Sequence, residues 1–152
     1  MLARTHVAIT FAALFLFLPK VENIGMVTFF SVAFIATLLP DIDTAFSFLG
    51  KSKFSKVPQF FTKHRGVLHS LSFCVFVSLI LAFIFPVLAF PFFLGYSLHI
   101  FADSFTRGGI RPFWPSKKKT SWKIAVGGYV ESTIFVLFLI LDLFLFILLF
   151  IK

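Results

Sequence analysis

Apolar residues along this chain fall into five runs, separated by short polar punctuation and by two long mixed stretches. The runs cover about Val7 to Leu18, Ile24 to Leu39, Val67 to Phe85, Val87 to Phe101 and Val130 to Ile151. Their length and scarcity of charge predict helices made for a bilayer, whose hydrocarbon core takes about 20 residues to cross. Only the last run is a comfortable span. The first and fourth are short, so they must borrow polar-ended flanks or cross a locally thinned bilayer. The expected fold is an all-α polytopic membrane protein with a single domain over residues 1–152, a bundle of about five transmembrane helices with two longer cytoplasmic interfacial loops.

Composition agrees with this pattern. The chain is 59% hydrophobic and 13% charged, with 26 phenylalanines, and its mean hydropathy is +1.02. A soluble domain of 152 residues has too little interior to hide that much apolar surface, whereas lipid accepts it on outward helix faces. The single cysteine, Cys74, excludes an intrachain disulfide and a thiolate zinc cluster. The N-terminal stretch imitates a secretory signal, but Leu18-Pro19-Lys20 lacks a small-x-small cleavage pattern, so it reads as a retained first span.

The net charge of +8 sharpens the topology. With five spans, one side receives Arg4, then Lys51, Lys53, Lys56, Lys63 and Arg65, then Arg107, Arg111, Lys117, Lys118, Lys119 and Lys123, while the other receives only Lys20 and Lys152. The positive-inside bias then predicts an integral protein of the inner membrane with its N-terminus in the cytoplasm and its C-terminus outside. Both long loops, about Thr44 to Lys63 and Ser104 to Gly128, interleave aromatics with cations. Such loops suit anionic lipid headgroups as partners, and that contact accounts for the basic excess without nucleic acid.

The same threading brings His6, Asp41, Asp43, His64, His69, His99, Asp103 and Glu131 to one membrane face. All are metal-ligand types. His99 and Asp103, four apart, share a helical face and suit one divalent ion, with Tyr96 and Thr106 extending the stripe as supporting hydroxyls. Asp41 and Asp43 follow Pro40, which is expected to end the second span in an extended turn; two carboxylates on one side favour a cation between them, although for an isolated DxD helix-end capping and turn formation are the better explanation. His64 and His69 flank Gly66, whose freedom to bend brings a loop histidine near a helical one. Arg65 has the planar fork that pairs with phosphate or carboxylate. His6 and Glu131 are bland alone and gain weight from sharing the face. Asp142 lies three turns deeper than Glu131 and is expected to be protonated or hydrogen-bonded inside the bundle.

Together, Thr5-His6, Asp41-Ile42-Asp43, His64-Arg65-Gly66-Val67-Leu68-His69-Ser70, Gly95-Tyr96-Ser97-Leu98-His99-Ile100-Phe101-Ala102-Asp103, Thr106, Gly108 or Gly109 and Pro112 resemble the YdjM-like family, the LexA-regulated membrane-bound metal-dependent hydrolases. The resemblance runs through nearly the whole chain in order, with Leu68 standing where many members have Thr. It implies a divalent-metal hydrolase with His64, His69, His99, Asp103 and the DxD aspartates near the ion. The HxxxD pair is also similar to that of zinc phospholipases C, which favours phosphodiester chemistry by analogy.

The ligand-type residues, with what the resemblance implies, lead to the expectation of a metal-dependent hydrolase of a lipid-linked ester, most readily a phosphoester. The expected ligands are His64, His69, His99, Asp103, Asp41 and His6, with Asp43 or Glu131 as general base and Arg65 as anion clamp. Zinc suits the imidazoles, while a carboxylate-rich set also suits manganese or magnesium. A metal-binding or ion-transporting protein without hydrolysis, or a structural membrane subunit, are the competing readings. Neither HExxH nor GxSxG occurs.

Overall fold

A computed structural model describes residues 1–21, 24–43 and 66–151, and the side chain of Asp43 lies outside the description. His64 and Arg65 lie outside the described residues. Five α-helices form the described structure: α1 (Ala3–Phe17), α2 (Met26–Leu38), α3 (Leu71–Ile84), α4 (Pro86–Ser104) and α5 (Tyr129–Phe150). Among the described residues there is no β-strand, only isolated bridges pairing Thr106 with Ile124 and Ile110 with Thr120. Among the described residues, two helices, α4 and α5, are long and apolar enough to cross a membrane.

Local chemistry sets the helix ends. The Ser70 hydroxyl accepts from the Phe73 amide at 3.2 Å, capping α3. Pro86 stands in the first turn of α4, where its missing N–H costs nothing and its fixed φ suits a helix, so α3 and α4 turn back on each other at Phe85. Three expected boundaries shift. The first helix begins at Ala3, before His6, so His6 lies within it. The third begins at Leu71 instead of Val67, because Ser70 is extended (φ −126°, ψ 143°) and isolates a 3-10 turn over Val67–His69. Pro40 does end α2, but Leu39–Asp43 then winds as a 3-10 turn and not as extended chain.

Side-chain contacts give the helix directions. Phe29 stacks on Phe90, and the Thr37 hydroxyl lies 3.3 Å from the Gly95 carbonyl, so α2 and α4 run in parallel. Thr5 meets Glu131 while Phe15 meets Phe146 and Phe150, so α1 and α5 are also parallel. Thr10 meets Thr37, and Phe15 meets Phe30, so α1 and α2 are antiparallel. With α3 folding back onto α4, directions alternate along the chain. The N-terminal ends of α1, α3 and α5 and the C-terminal ends of α2 and α4 therefore gather at one end of the bundle.

The helices pack side by side in the order α5, α1, α2, α4, α3. The α2–α4 seam is the tightest, because a Cβ at Gly95 would lie 2.1 Å from the Ala33 carbonyl oxygen. Apolar packing flanks it on both sides, with Leu14, Phe29, Ala33 and Leu94 toward α1 and Ala36, Cys74, Phe92, Tyr96 and Ile100 toward α3. Large apolar side chains on α3 and α5 stay exposed, as on helices that face lipid. Residues 105–128 are tied down: the Pro112 carbonyl accepts from the Leu71 and Ser72 amides at 2.8 and 3.2 Å.

Candidate metal centre

At the end where the helix termini gather, His6, Asp41, His69, His99 and Asp103 converge. They come from α1, the turn after α2, the turn before α3 and, twice, from α4. The three histidines and Asp103 are almost fully buried, at 1% exposure for His6 and His99, 0% for His69 and 3% for Asp103. The Asp41 side chain keeps 20% exposure and is the open side of the cluster.

Distances within the cluster differ from those of hydrogen bonds. His6 Nε2 lies 3.3 Å from Asp103 Oδ1, His69 Nε2 lies 3.5 Å from Asp41 Oδ1, and His99 Nε2 lies 3.7 Å from Asp41 Oδ1. Charge-assisted N–H···O bonds are about 2.7–2.9 Å, whereas ligands bound at about 2.0–2.1 Å around a tetrahedral ion sit roughly 3.3 Å apart. Two triads, His6–Asp41–His99 and His69–His99–Asp103, each place their ligand atoms within 4.8 Å of one another. His99 belongs to both.

One hydrogen bond prepares His99 for this place. Its Nδ1 lies 2.7 Å from the Thr37 carbonyl, which only accepts, so Nδ1 carries the proton and Nε2 presents a lone pair. Thr37 has that carbonyl available because Pro40, three residues on, lacks the N–H that the following 3-10 turn would otherwise use. His99 Nε2 and both ring nitrogens of His6 are buried without a hydrogen bond among the described residues. Buried imidazole nitrogens with no donor or acceptor in good geometry are costly unless something else binds them. The donor set therefore fits a divalent ion.

The rings also order each other. His6 stacks on His99 with centroids 3.8 Å apart and planes 11° from parallel, while His69 stands edge-on to His99 at 5.5 Å and 68°. Burial opposes ionisation of Asp41, but the nearby His69, His99 and His6 rings outweigh it and hold the carboxyl below its ordinary range.

The remaining expected residues separate. Tyr96 donates from its hydroxyl to the Leu68 carbonyl at 2.5 Å, pinning the turn that carries His69. Thr106 donates to the Asp103 carbonyl at 2.8 Å. Both of these hydrogen bonds hold backbone carbonyls in place. Glu131 is buried and accepts from the Leu2 amide at 2.5 Å, the Thr5 hydroxyl at 3.0 Å and the Gly127 amide at 2.6 Å. It ties α5 to the start of α1, one turn from His6. The Met1 nitrogen contacts Asp103 Oδ1. Asp142 is far from the cluster and makes no hydrogen bond through Oδ1 among the described residues. Thr37 and Thr10 are not among the expected site residues, while Thr5 and Gly95 enter there only as part of the motif; Pro40, three residues after Thr37, is the available signal for the first.

A family model described as YdjM inner membrane protein matches residues 1–151, and the chain belongs to that family. No curated protein and no solved structure matches it significantly.

Proposed function

We propose that this YdjM-family membrane protein is a divalent-metal hydrolase of a lipid-linked ester, most readily a phosphoester, working at the cytoplasmic face of the inner membrane. The observation that carries the reading is the buried cluster in which His99, its Nδ1 fixed on Thr37, aims Nε2 into a shell completed by His6, His69, Asp41 and Asp103. Three imidazoles with two carboxylates suit zinc, and manganese is the next best fit. An ion held there supplies Lewis acidity toward an ester oxygen and lowers the pKa of water toward neutrality.

The chain's own groups do the rest. Thr37 keeps His99 in one tautomer, Tyr96 holds the His69 turn on α4, and Glu131 holds α1 so that His6 stays in register. Asp41, the most exposed member of the shell, stands as a ligand on the side from which substrate would enter. The remaining roles rest on the sequence: Arg65 as anion clamp, His64 as a further ligand, and Asp43 or Glu131 as general base. On another face of α4 a cavity of about 410 Å³, lined by Leu71, Ile100, Phe101, Ile110 and Phe113, has room for an apolar tail.

The membrane arrangement belongs to the same reading. All five helices are embedded, with α1, α2 and α3 reaching across a thinned or polar-flanked boundary, the metal end cytoplasmic and the C-terminus outside. The burial of the histidines also favours a second reading, a metal-binding protein without turnover, since catalytic ions keep an open position. Metal-loaded protein assayed on lipid phosphomonoesters and phosphodiesters separates the two. Turnover that disappears in His99→Ala supports hydrolysis, and tight metal without turnover across the panel supports binding alone.

A further inference from the structure

The stretch between α4 and α5 is a shaped, cationic surface. The Ile110 and Thr120 amides each donate to the other's carbonyl at 2.9 Å, and the Trp122 amide donates to the Thr106 carbonyl at 3.1 Å. Between Ser104 and Val130 the chain carries Arg107, Arg111, Lys117, Lys118, Lys119 and Lys123 and no carboxylate. All of these cations are exposed. Arg107 is engaged, its Nε donating to the Lys123 carbonyl at 3.2 Å. Arg111 and Lys117–Lys119 make no ion pair with a carboxylate among the described residues. Trp114 and Trp122 stand exposed beside them, as aromatic side chains do at a headgroup boundary.

The same loop is one wall of the cavity of about 410 Å³ on α4. Pro112, Phe113 and Thr120 face Ser97, Phe101 and Ser104 across it. Arg111 stands between Ile110 and Pro112, and Lys119 directly before Thr120, so an apolar wall and a cationic rim are built on one backbone. Phe101 and Phe113 remain 62% and 64% exposed. In an inner membrane protein, an open apolar lining of this kind meets lipid.

The shape of the cavity selects the occupant. From Ser104, at the end of α4, to Ser97 the lining runs roughly 10 Å along the helix, away from the bundle end that carries the cations. A nucleic acid or an acidic peptide matches the cations and leaves the inward apolar channel empty. A phospholipid matches both. We propose that this is a site for one anionic phospholipid, its phosphate held by Arg111 and Lys117–Lys119 and one acyl chain seated between α4 and the loop. The guanidinium fork of Arg111 suits phosphate oxygens, and the lysines add charge. The site lies on the side of α4 turned away from His99 and Asp103, so it does not rest on the hydrolase reading.

Native mass spectrometry of the delipidated protein, titrated with dioleoyl phosphatidylglycerol or dioleoyl phosphatidylcholine, tests this. The first phosphatidylglycerol is expected to bind about tenfold or more tighter than the first phosphatidylcholine. Replacing Arg111, Lys117, Lys118 and Lys119 together by Gln should bring the two lipids within about twofold of each other. Ser97→Phe, which fills the cavity, should weaken the first adduct of both lipids, whereas Lys20→Gln at the opposite end of the bundle should change neither. Circular dichroism shows whether each variant keeps its helices. Equal affinity of wild type for the two lipids, or an unchanged preference in the neutralised variant, would overturn the proposal. A folded Ser97→Phe protein that binds both lipids as tightly as wild type would overturn the seating of the chain.

Discussion

His99 Nδ1 rests 2.7 Å from the carbonyl oxygen of Thr37, a backbone acceptor on a different helix. This contact gives a buried histidine one tautomer and one direction, as a candidate ligand would need. Its existence depends on Pro40, which withholds the N–H that would compete for the same oxygen. Pro40→Ala restores that competitor without touching any ligand. Metal affinity is expected to fall about tenfold, the lower end of what orienting partners contribute, with little change in helix content. A competition titration against a coloured chelator measures it.

Gly95 lets α2 and α4 approach closely enough for Thr37 and His99 to meet. A methyl group there would sit 2.1 Å from the Ala33 carbonyl oxygen, so Gly95→Ala must push the seam apart. A loss of roughly 1–3 kcal/mol or more is expected, as for other overpacked sites. Thermal unfolding in detergent should show the lowered midpoint, and metal should be lost in parallel because His99 lies one turn further along α4.

Glu131 offers a choice between two roles. As the clamp between α5 and the first turn of α1, its replacement by Gln sets an amide N–H against one of three donors, at a cost of about 1–3 kcal/mol. Glu131→Gln should therefore lower thermal stability and metal affinity together. Normal stability and metal content with abolished turnover would instead make Glu131 the general base.

Acid should empty the centre through its histidines. Imidazoles must be neutral to bind metal, so protons compete with the ion and bound metal is expected to fall as pH is lowered. Asp41 behaves oppositely. Its folded pKa lies below the ordinary 3.8, so the stability it contributes is present above that value and lost only as pH falls through the lower folded one. A pH titration should thus show bound metal lost on acidification before helicity is lost in stronger acid.

Much of the metal end could be read in the sequence because periodicity carries it. The i, i+4 spacing of His99 and Asp103 needs only a helix, and five alternating apolar runs bring Asp41, His69 and His6 to the same end. What periodicity cannot carry is which backbone groups meet. The Thr37 carbonyl has the chemistry of every other carbonyl, and its role appears only when α2 and α4 are parallel and close. Glu131 read as a candidate base because its partners, the Leu2 and Gly127 amides, have no side-chain signature. The 3-10 turn carrying His69 was hidden for a similar reason: Val67 to Ser70 continues an apolar helical pattern, and Tyr96 stabilises the break from another helix.

Elemental analysis of the detergent-purified protein, beside a His99→Ala and Asp103→Ala double variant, bears most directly on the central claim. Wild type is expected to retain about one or more equivalents of zinc or manganese, and the folded double variant to lose it. No divalent metal in wild type, even after supplementation and mild exchange, would contradict a metal centre built on His99.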